Sequence, residues 1–387
     1  MREASSMAAV VMNRAIKYRA YPNDQQAELL AKTFGCVRFV WNQMLNDAQD
    51  FFAAAGTFFI PTPAKYKKEF PFLKEVDSGA LCNAQLTLQS AHTKFLKEPN
   101  VGKPKFKSKK KCKAKYTTTN HAVTNKKTGK TCFPVSLGHD FVHIPKVGDV
   151  KINKHRLPGK DWKVKAATIE RTKTGKYFIS VLFEFTKEFT PVVVKEENAL
   201  GLDYSSHDFY VDSNGNAANY PRFYRKSEEK LAKEQRKLSR MKYGSKNYEK
   251  QLHKVQLLHE KIANQRKNFC HTLSAAIAKQ YDAVYVEDLN LRNLARSLKL
   301  GKSTNDNGFG MFRVMLQYKL EAQGKTLAKV DKWYPSSKTC HVCGFVKKDL
   351  TLADRVWTCG SCGTVHNRDH NAAINIRHAG FLGAYPA

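Results

Sequence analysis

Acidic residues are in short supply in this chain: 34 Asp and Glu stand against 66 Lys and Arg, a formal net charge of +32. Such a polycation repels itself until a polyanion neutralises it, so a nucleic acid is the first candidate partner. Long apolar runs are missing too, and no segment nears the roughly 20 apolar residues that a membrane-spanning helix needs. Nor does any long basic helix carry a Trp- or Phe-rich face toward lipid. The early run Met7–Met12, MAAVVM, is shorter than a secretory core and lacks a small-residue cleavage site in register. Disulfide spacing is absent, because Cys36, Cys82, Cys112, Cys132 and Cys270 are scattered singly, which fits a reducing compartment. The expectation is a cytoplasmic protein with no membrane partner, its ordered part beginning near Met12 after a disordered extension over residues 1–12.

What is present suffices for two or three cores: 387 residues, 42% of them apolar. Asn13–Tyr21 alternates apolar and basic residues as a strand does. Pro22, Asn23 and Asp24 then open a helix whose apolar positions run from Leu29 through Phe34, Val37, Trp41 and Met44 to Phe52. A second helix is expected from about Ser78 to Lys97. The run Lys103–Lys115, KPKFKSKKKCKAK, is mostly lysine, and with Phe106 and Tyr116 beside it reads as a phosphate-tracking strand or loop. From Tyr116 to Thr190 the texture is β, with Lys173–Lys176 as a hairpin loop. Tyr177, Ile179, Val181, Phe183 and Phe185 would share one face of a small barrel or sandwich. The order predicts a β-domain with a helical insertion.

Beyond a boundary near residues 189–198 the pattern changes. An apolar strand is broken by Asp203, a second strand turns at Ser213–Gly215, and Arg225–Tyr281 reads as a basic helical hairpin broken at Tyr243–Ser245. AVYVEDLN repeats the apolar strand ending in acid, at Glu287 and Asp288; a helix over 309–322 and a last strand follow. Three strands, helices, strand, helix, strand, helix predict an α/β, RNase H-like sheet.

Two CxxC pairs, Cys340/Cys343 and Cys359/Cys362, are separated by fifteen residues, a spacing that closes a four-thiolate, structural zinc site. Gly344 and Gly363 permit its tight turns. His341 and His366 would be surplus, left to surface or nucleic-acid contacts. Asp203 and Glu287 lie at strand ends and Asp369 at a helix start. A carboxylate inside an apolar strand must be paired, bonded or metal-bound, while an acid in a first helical turn is common capping chemistry. Three such acids on a basic chain suit two Mg²⁺ ions acting on a phosphodiester. Asp288, on the opposite face of its strand, would not join them.

GLDYSSHDFYVD, VEDLN, PSSKTCHVCG, WTCGSCG and NRDHNAAINI together resemble the TnpB family, the OrfB-type proteins of insertion sequences related to compact type V CRISPR effectors. The likeness runs from about Asn13 to His378. It implies an RNA-guided DNA endonuclease with a RuvC-like nuclease domain over residues 198–335 and 365–387, a zinc ribbon over 336–364 inserted into it, a wedge-like β-barrel over 13–22 and 100–190, and a REC-like helical insertion over 23–99. It assigns Asp203, Glu287 and Asp369 to the catalytic Mg²⁺ ions, and Cys340, Cys343, Cys359 and Cys362 to zinc. The partners it implies are a guide RNA from the transposon end and double-stranded DNA beside a short motif, with one copy of the chain per RNA. Asp77–Asn83, which resembles the motif-reading helix, carries the small Ser78, Gly79 and Cys82, so the motif itself stays open. A guided repressor that does not cut, and a transposase acting on its own element's ends, are the competing classes.

Overall fold

The computed structural model describes residues 8–124, 129, 131–190, 192–290, 293, 306–351 and 353–384. They fall into two units, one of Ala9–Lys187 and one of the residues from Glu188 onward together with Ala8, the first residue of a strand that otherwise lies in the former.

The first unit begins with strand β1 (Ala8–Tyr21). Ala8–Met12 are therefore strand, contrary to an extension reaching Met12, and residues 1–7 lie outside the described residues. Helix α1 (Asp24–Ala55) starts at a reciprocal capping box, in which Asn23 accepts from the Gln26 backbone and Gln26 from that of Asn23, and it stops at Gly56 in the left-handed region. After a single turn, α2 (Tyr66–Glu69), helix α3 (Ser78–Lys97) is capped by the Asp77 carboxylate. Nine strands make up the rest of the unit: β1, β2 (Ala114–Thr119), β3 (Val123–Thr124), β4 (Thr131–Cys132), β5 (Ser136–Leu137), β6 (Phe141–Ile144), β7 (Gly148–Asn153), β8 (Lys163–Arg171) and β9 (Tyr177–Phe189). Seven form one sheet in the order β2-β8-β9-β1-β7-β6-β5, and β3 pairs with β4. Ile179, Val181 and Phe183 point inward from β9 as alternation requires, and they share a core with Leu30, Val40 and Met44 of α1. Helices and sheet thus bury one common apolar core.

The lysine-rich stretch is a loop as far as Lys113, with strand only from Ala114. It is fixed to α1: the Trp41 indole N–H donates to the Lys105 carbonyl at 3.1 Å, and Asn42 exchanges two bonds with the Lys107 backbone. The Lys107 ammonium sits 3.2 Å from the Trp41 ring centre. Of the two aromatics expected to border a phosphate track, Phe106 is exposed but Tyr116 is buried against Phe34, 5.6 Å between ring centres. Its ring is spent on the core.

The second unit holds a four-stranded sheet in the order β11-β10-β12-β13. Strand β10 (Ala199–Ser205) pairs antiparallel with β11 (Phe209–Asp212) and parallel with β12 (Ala283–Glu287), which pairs parallel with β13 (Thr326–Val330). The third strand expected before the helices is reduced to one bridge, Val211 to Ala217. Asn219 and Arg222, both at φ 52°, turn the chain away before a ladder can extend. Helices α4 (Phe223–Ser239) and α5 (Lys246–Gln280) then form the hairpin, packing Leu231 against Val255 and Ile262. Helix α6 (Phe309–Glu321) leads into β13; a small hairpin of β14 (Val356–Thr358) and β15 (Val365–Asn367) precedes the last helix, α7 (Arg368–Ala384). The last three residues of the 365–387 segment lie outside the described residues. No helix among those described is long and apolar enough to cross a membrane.

Alternation along the parallel strands divides the sheet into two faces. Leu200, Leu202, Val284 and Val286 pack with Phe309, Phe312 and Leu316 of α6, whereas Ala199, Ala283 and Tyr285 pack with Ile376 of α7. Asp203 and Glu287 share the period of the second set, so the sequence puts both acids on the face that carries α7.

Candidate active site

The register brings the two strand acids side by side. Leu202 pairs with Val286, and Asp203 and Glu287 each follow by one residue, at the C-terminal ends of parallel strands where open α/β sheets place their ligands. The third acid arrives with α7. That helix crosses β10 so closely that a Cβ on Gly201 would stand 2.1 Å from the Ala373 carbonyl oxygen. Further along, a Cβ on Gly380 would meet the Tyr285 ring at 2.3 Å. Only the missing side chains at these two crossings let α7 lie flat on the sheet, and Asp369, in its first turn, is thereby carried to the other acids.

Electrostatics links Asp203 to the other two acids. Burial lifts the Asp203 carboxyl well above the usual carboxylate range, and the charges of Glu287 and Asp369 lift it further. Glu287 is raised by burial as well, against the opposing pull of a hydrogen bond from Ser336. Asp369 is held differently: Arg355 donates to Oδ2 at 3.1 Å, and Arg368 donates to Oδ1 through both Nε and Nη2 at 3.2 Å. Asp288 lies outside the group, exposed and paired with Lys329 at 2.8 Å.

Several polar residues that the sequence did not single out position these acids. The Ser336 hydroxyl donates to Glu287 Oε1 at 2.6 Å. Ser336 is itself gripped by α7, since Asn371 and Asn375, both buried, donate to its carbonyl and to that of Thr339. The Asn371 side-chain oxygen then accepts from the His341 backbone N–H at 3.1 Å. One network of hydrogen bonds therefore runs from the cysteine knuckle through α7 and Ser336 to Glu287. The available signal was a pair of asparagines four residues apart, Asn371 and Asn375, directly behind Asp369.

The four cysteines do converge. Cys340, Cys343, Cys359 and Cys362 hold their sulfurs within 4.8 Å of one another, the only set of three or more possible metal ligands drawn that tight among the described residues. Sγ–Sγ separations are 3.6 Å for Cys340–Cys362 and 3.5 Å for Cys343–Cys359, close to the roughly 3.8 Å edge of a tetrahedron with metal–sulfur bonds of about 2.3 Å. Gly344 and Gly363, at φ 75° and 73°, turn the two knuckles. The Thr364 hydroxyl and backbone bring the Cys362 thiol down to about 6, whereas burial pushes the Cys340 thiol up to about 11, so only part of the cluster leans toward the thiolate a metal requires. His366 corrects the expectation of a surface residue: it is buried beside Trp357, with Nε2 3.1 Å from the Cys340 sulfur. Its place opposite Trp357 in the β14–β15 register turns it inward. His341 bonds Asn371 instead of facing solvent alone.

Set against known proteins, residues 180–298 match a family described as "Probable transposase" of the OrfB type, residues 309–376 a "Cas12f1-like, TNB domain", and residues 12–56 a "Helix-turn-helix domain". A Streptomyces pristinaespiralis protein provisionally named an RNA-guided DNA endonuclease is 34% identical over 380 residues, spanning 95% of this chain and 90% of its own. An Escherichia coli protein with the same provisional description, InsQ, is 28% identical over 391 residues, spanning 95% of this chain and 92% of its own. Among solved structures, the Cas12f1 chain of a complex with guide RNA and target DNA superposes with a TM-score of 0.57 at 13% identity, over 95% of this chain and 99% of that one. That likeness is one of fold.

Proposed function

Because the chain belongs to the TnpB family of insertion-sequence proteins, we propose that it is an RNA-guided DNA endonuclease whose nuclease centre is Asp203, Glu287 and Asp369. The observation that carries this reading is the gathering of three acids from β10, β12 and α7, with Asp203 driven far from its ordinary state by burial and by its two neighbours.

That charge is what a divalent cation would offset, and the donor set is all carboxylate oxygen, which suits magnesium. Asp203, Glu287 and Asp369 would hold two such ions, whose contribution when bound is Lewis-acid polarisation of the scissile phosphate and a lowered pKa for attacking water. The protein's own residues do the rest. Ser336 fixes the rotamer of Glu287 by its 2.6 Å bond. Each oxygen of Asp369 accepts from a guanidinium and keeps further lone-pair capacity for a cation. Arg355, the more exposed of the two, presents its remaining N–H donors to solvent, where a phosphate oxygen can be met bidentately. The four thiolates would hold one zinc with no position left open, a structural site that braces the network ending on Glu287.

The guide would come from the transposon end, and base pairing with it would supply sequence choice beyond a short adjacent motif. The first unit would hold that RNA as a wedge-like β-sheet domain with its REC-like helices, and one chain per RNA is expected. The test is purification with co-expressed RNA from the element's end, followed by plasmid libraries with randomised flanks. Cleavage that needs both the RNA and Mg²⁺, with one flank enriched, is the expected result. RNA and DNA bound without any cutting would make the protein a guided repressor, and cutting of the element's own ends without RNA would make it a transposase. Metal analysis of Cys359→Ser should show about one equivalent of zinc lost.

A further inference from the structure

The segment between β13 and the cysteine knuckle is tied to Glu287 at both ends. At its start, Val330 is the register partner of Glu287 on β13. Six residues on, the Ser336 hydroxyl bonds the Glu287 carboxylate. Between these anchors the chain makes a tight turn: the Trp333 backbone N–H donates to the Asp331 carboxylate at 2.7 Å, and that of Tyr334 to the Asp331 carbonyl at 3.1 Å. The apex of the turn is Trp333, 79% exposed, the most exposed aromatic side chain among the described residues. The Lys332 ammonium lies over its ring, 4.6 Å from the centre. The chain has four tryptophans, and the other three are spent on packing: Trp41 and Trp357 are buried, and Trp162 stacks on Phe185.

An indole held out to solvent on a hydrogen-bonded turn, with a cation beside it and a nuclease carboxylate at the foot of both limbs, has the elements of a site for an unpaired base. In an RNA-addressed nuclease, guide pairing displaces one DNA strand, so a strand that reaches Asp203, Glu287 and Asp369 can bring unpaired bases, and any base has a π-face to stack. We propose that Trp333 is a stacking platform for a nucleobase of the DNA strand entering the carboxylate site, with Lys332 meeting a phosphate of the same strand. The assignment rests on the nuclease reading above and gives it a positioning residue on the substrate side.

The test uses the RNA-bound full-length protein and an oligodeoxynucleotide carrying 2-aminopurine, in an Asp203→Ala background that prevents cutting. Stacking quenches the probe. Quenching should be lost in Trp333→Leu and kept in Trp333→Phe. In the cutting-competent protein, Trp333→Leu should raise the half-saturating DNA concentration by about five- to a hundred-fold, with turnover at saturation little changed. Equal quenching in wild type and Trp333→Leu, or an unchanged half-saturating concentration, overturns the proposal. Should Trp333→Leu fail to bind RNA and so prove unfolded, abasic nucleotides placed next to the scissile phosphate give the same answer in the wild-type protein. They should weaken half-saturation by the same factor, and indifference to them counts against the platform. A wild-type complex that never cuts DNA but shows Trp333-dependent quenching would defeat the nuclease reading and leave the platform standing.

Discussion

Asp203 carries the clearest chemical signature among the described residues, because desolvation and the charges of two other acids all raise its carboxyl. For Asp203 and Glu287 alike the folded state raises the pKa, so between the ordinary carboxylate value of about 4 and the raised value the folded chain binds more protons than the unfolded one. Stability from these two groups is therefore fullest at low pH and is lost as pH rises through their raised values. In metal-free buffer at neutral pH, Asp203→Asn should melt higher than wild type, by about 2–4 °C for each kcal/mol of repulsion removed. Mg²⁺ should raise the melting temperature of wild type and leave that of Asp203→Asn nearly unchanged. A variant that melts lower than wild type without metal would mean that the Asp203 charge is compensated by the protein itself. At this scale the acids were legible because each breaks an apolar run at a strand end or opens a helix. Ser336, Arg355, Arg368, Asn371 and Asn375 were not, since their importance lies in tertiary bonds between segments far apart in sequence. His366 was misread because counting four thiolates leaves a histidine with no assignment, although Trp357 opposite it marks an inward position.

Helix α7 is the element on which the centre depends. Its sheet-facing stripe runs from Asp369 through Ala373 and Ile376 to Gly380, and two crossings without side chains set its height above the sheet. Gly201→Ala would press a methyl into the Ala373 carbonyl, backbone that cannot move aside. We expect a loss of about 1–3 kcal/mol or more by denaturant unfolding, together with a fall in cleavage as Asp369 is displaced. Gly380→Ala meets the Tyr285 ring at the far end of the helix, so it should cost comparable stability with a smaller loss of cleavage. Equal catalytic losses in the two would show that the helix moves as a rigid rod. Strand and helix positions in this unit could be read from period and turn residues, including the hairpin break at Tyr243–Ser245. The third strand of the expected sheet could not, because left-handed backbone at Asn219 and Arg222 ended it; Asn tolerates that conformation without requiring it, and Arg gives no sign of it.

For the whole molecule the dominant fact is charge. With a net +32, the proposed RNA binding should be strongly salt-dependent, each neutralised phosphate of a single strand contributing about −0.7 to the slope of log affinity against log salt. If the lysine-rich loop docked on α1 tracks RNA phosphates, replacing Lys109, Lys110 and Lys111 together by Gln should make that slope shallower by about 2, measured by fluorescence anisotropy across a salt series. An unchanged slope would assign those lysines to solvent or to DNA. Composition pointed to a polyanionic partner at once. It could not divide the cationic surface between RNA and DNA, because a lysine run has no geometry until it is fixed, as Trp41 and Asn42 fix this one.

On the proposed reading, Asp203, Glu287 and Asp369 form one cation-dependent centre serving an RNA-addressed nuclease. The most direct measurement is single-turnover cleavage of a matched target by the RNA-bound protein, comparing wild type with Asp203→Ala, Glu287→Gln and Asp369→Asn at saturating Mg²⁺. A rate loss of about a thousand-fold or more is expected in each variant, RNA and target binding remaining intact. Wild-type rates in any one of the three, with RNA still bound, would contradict it.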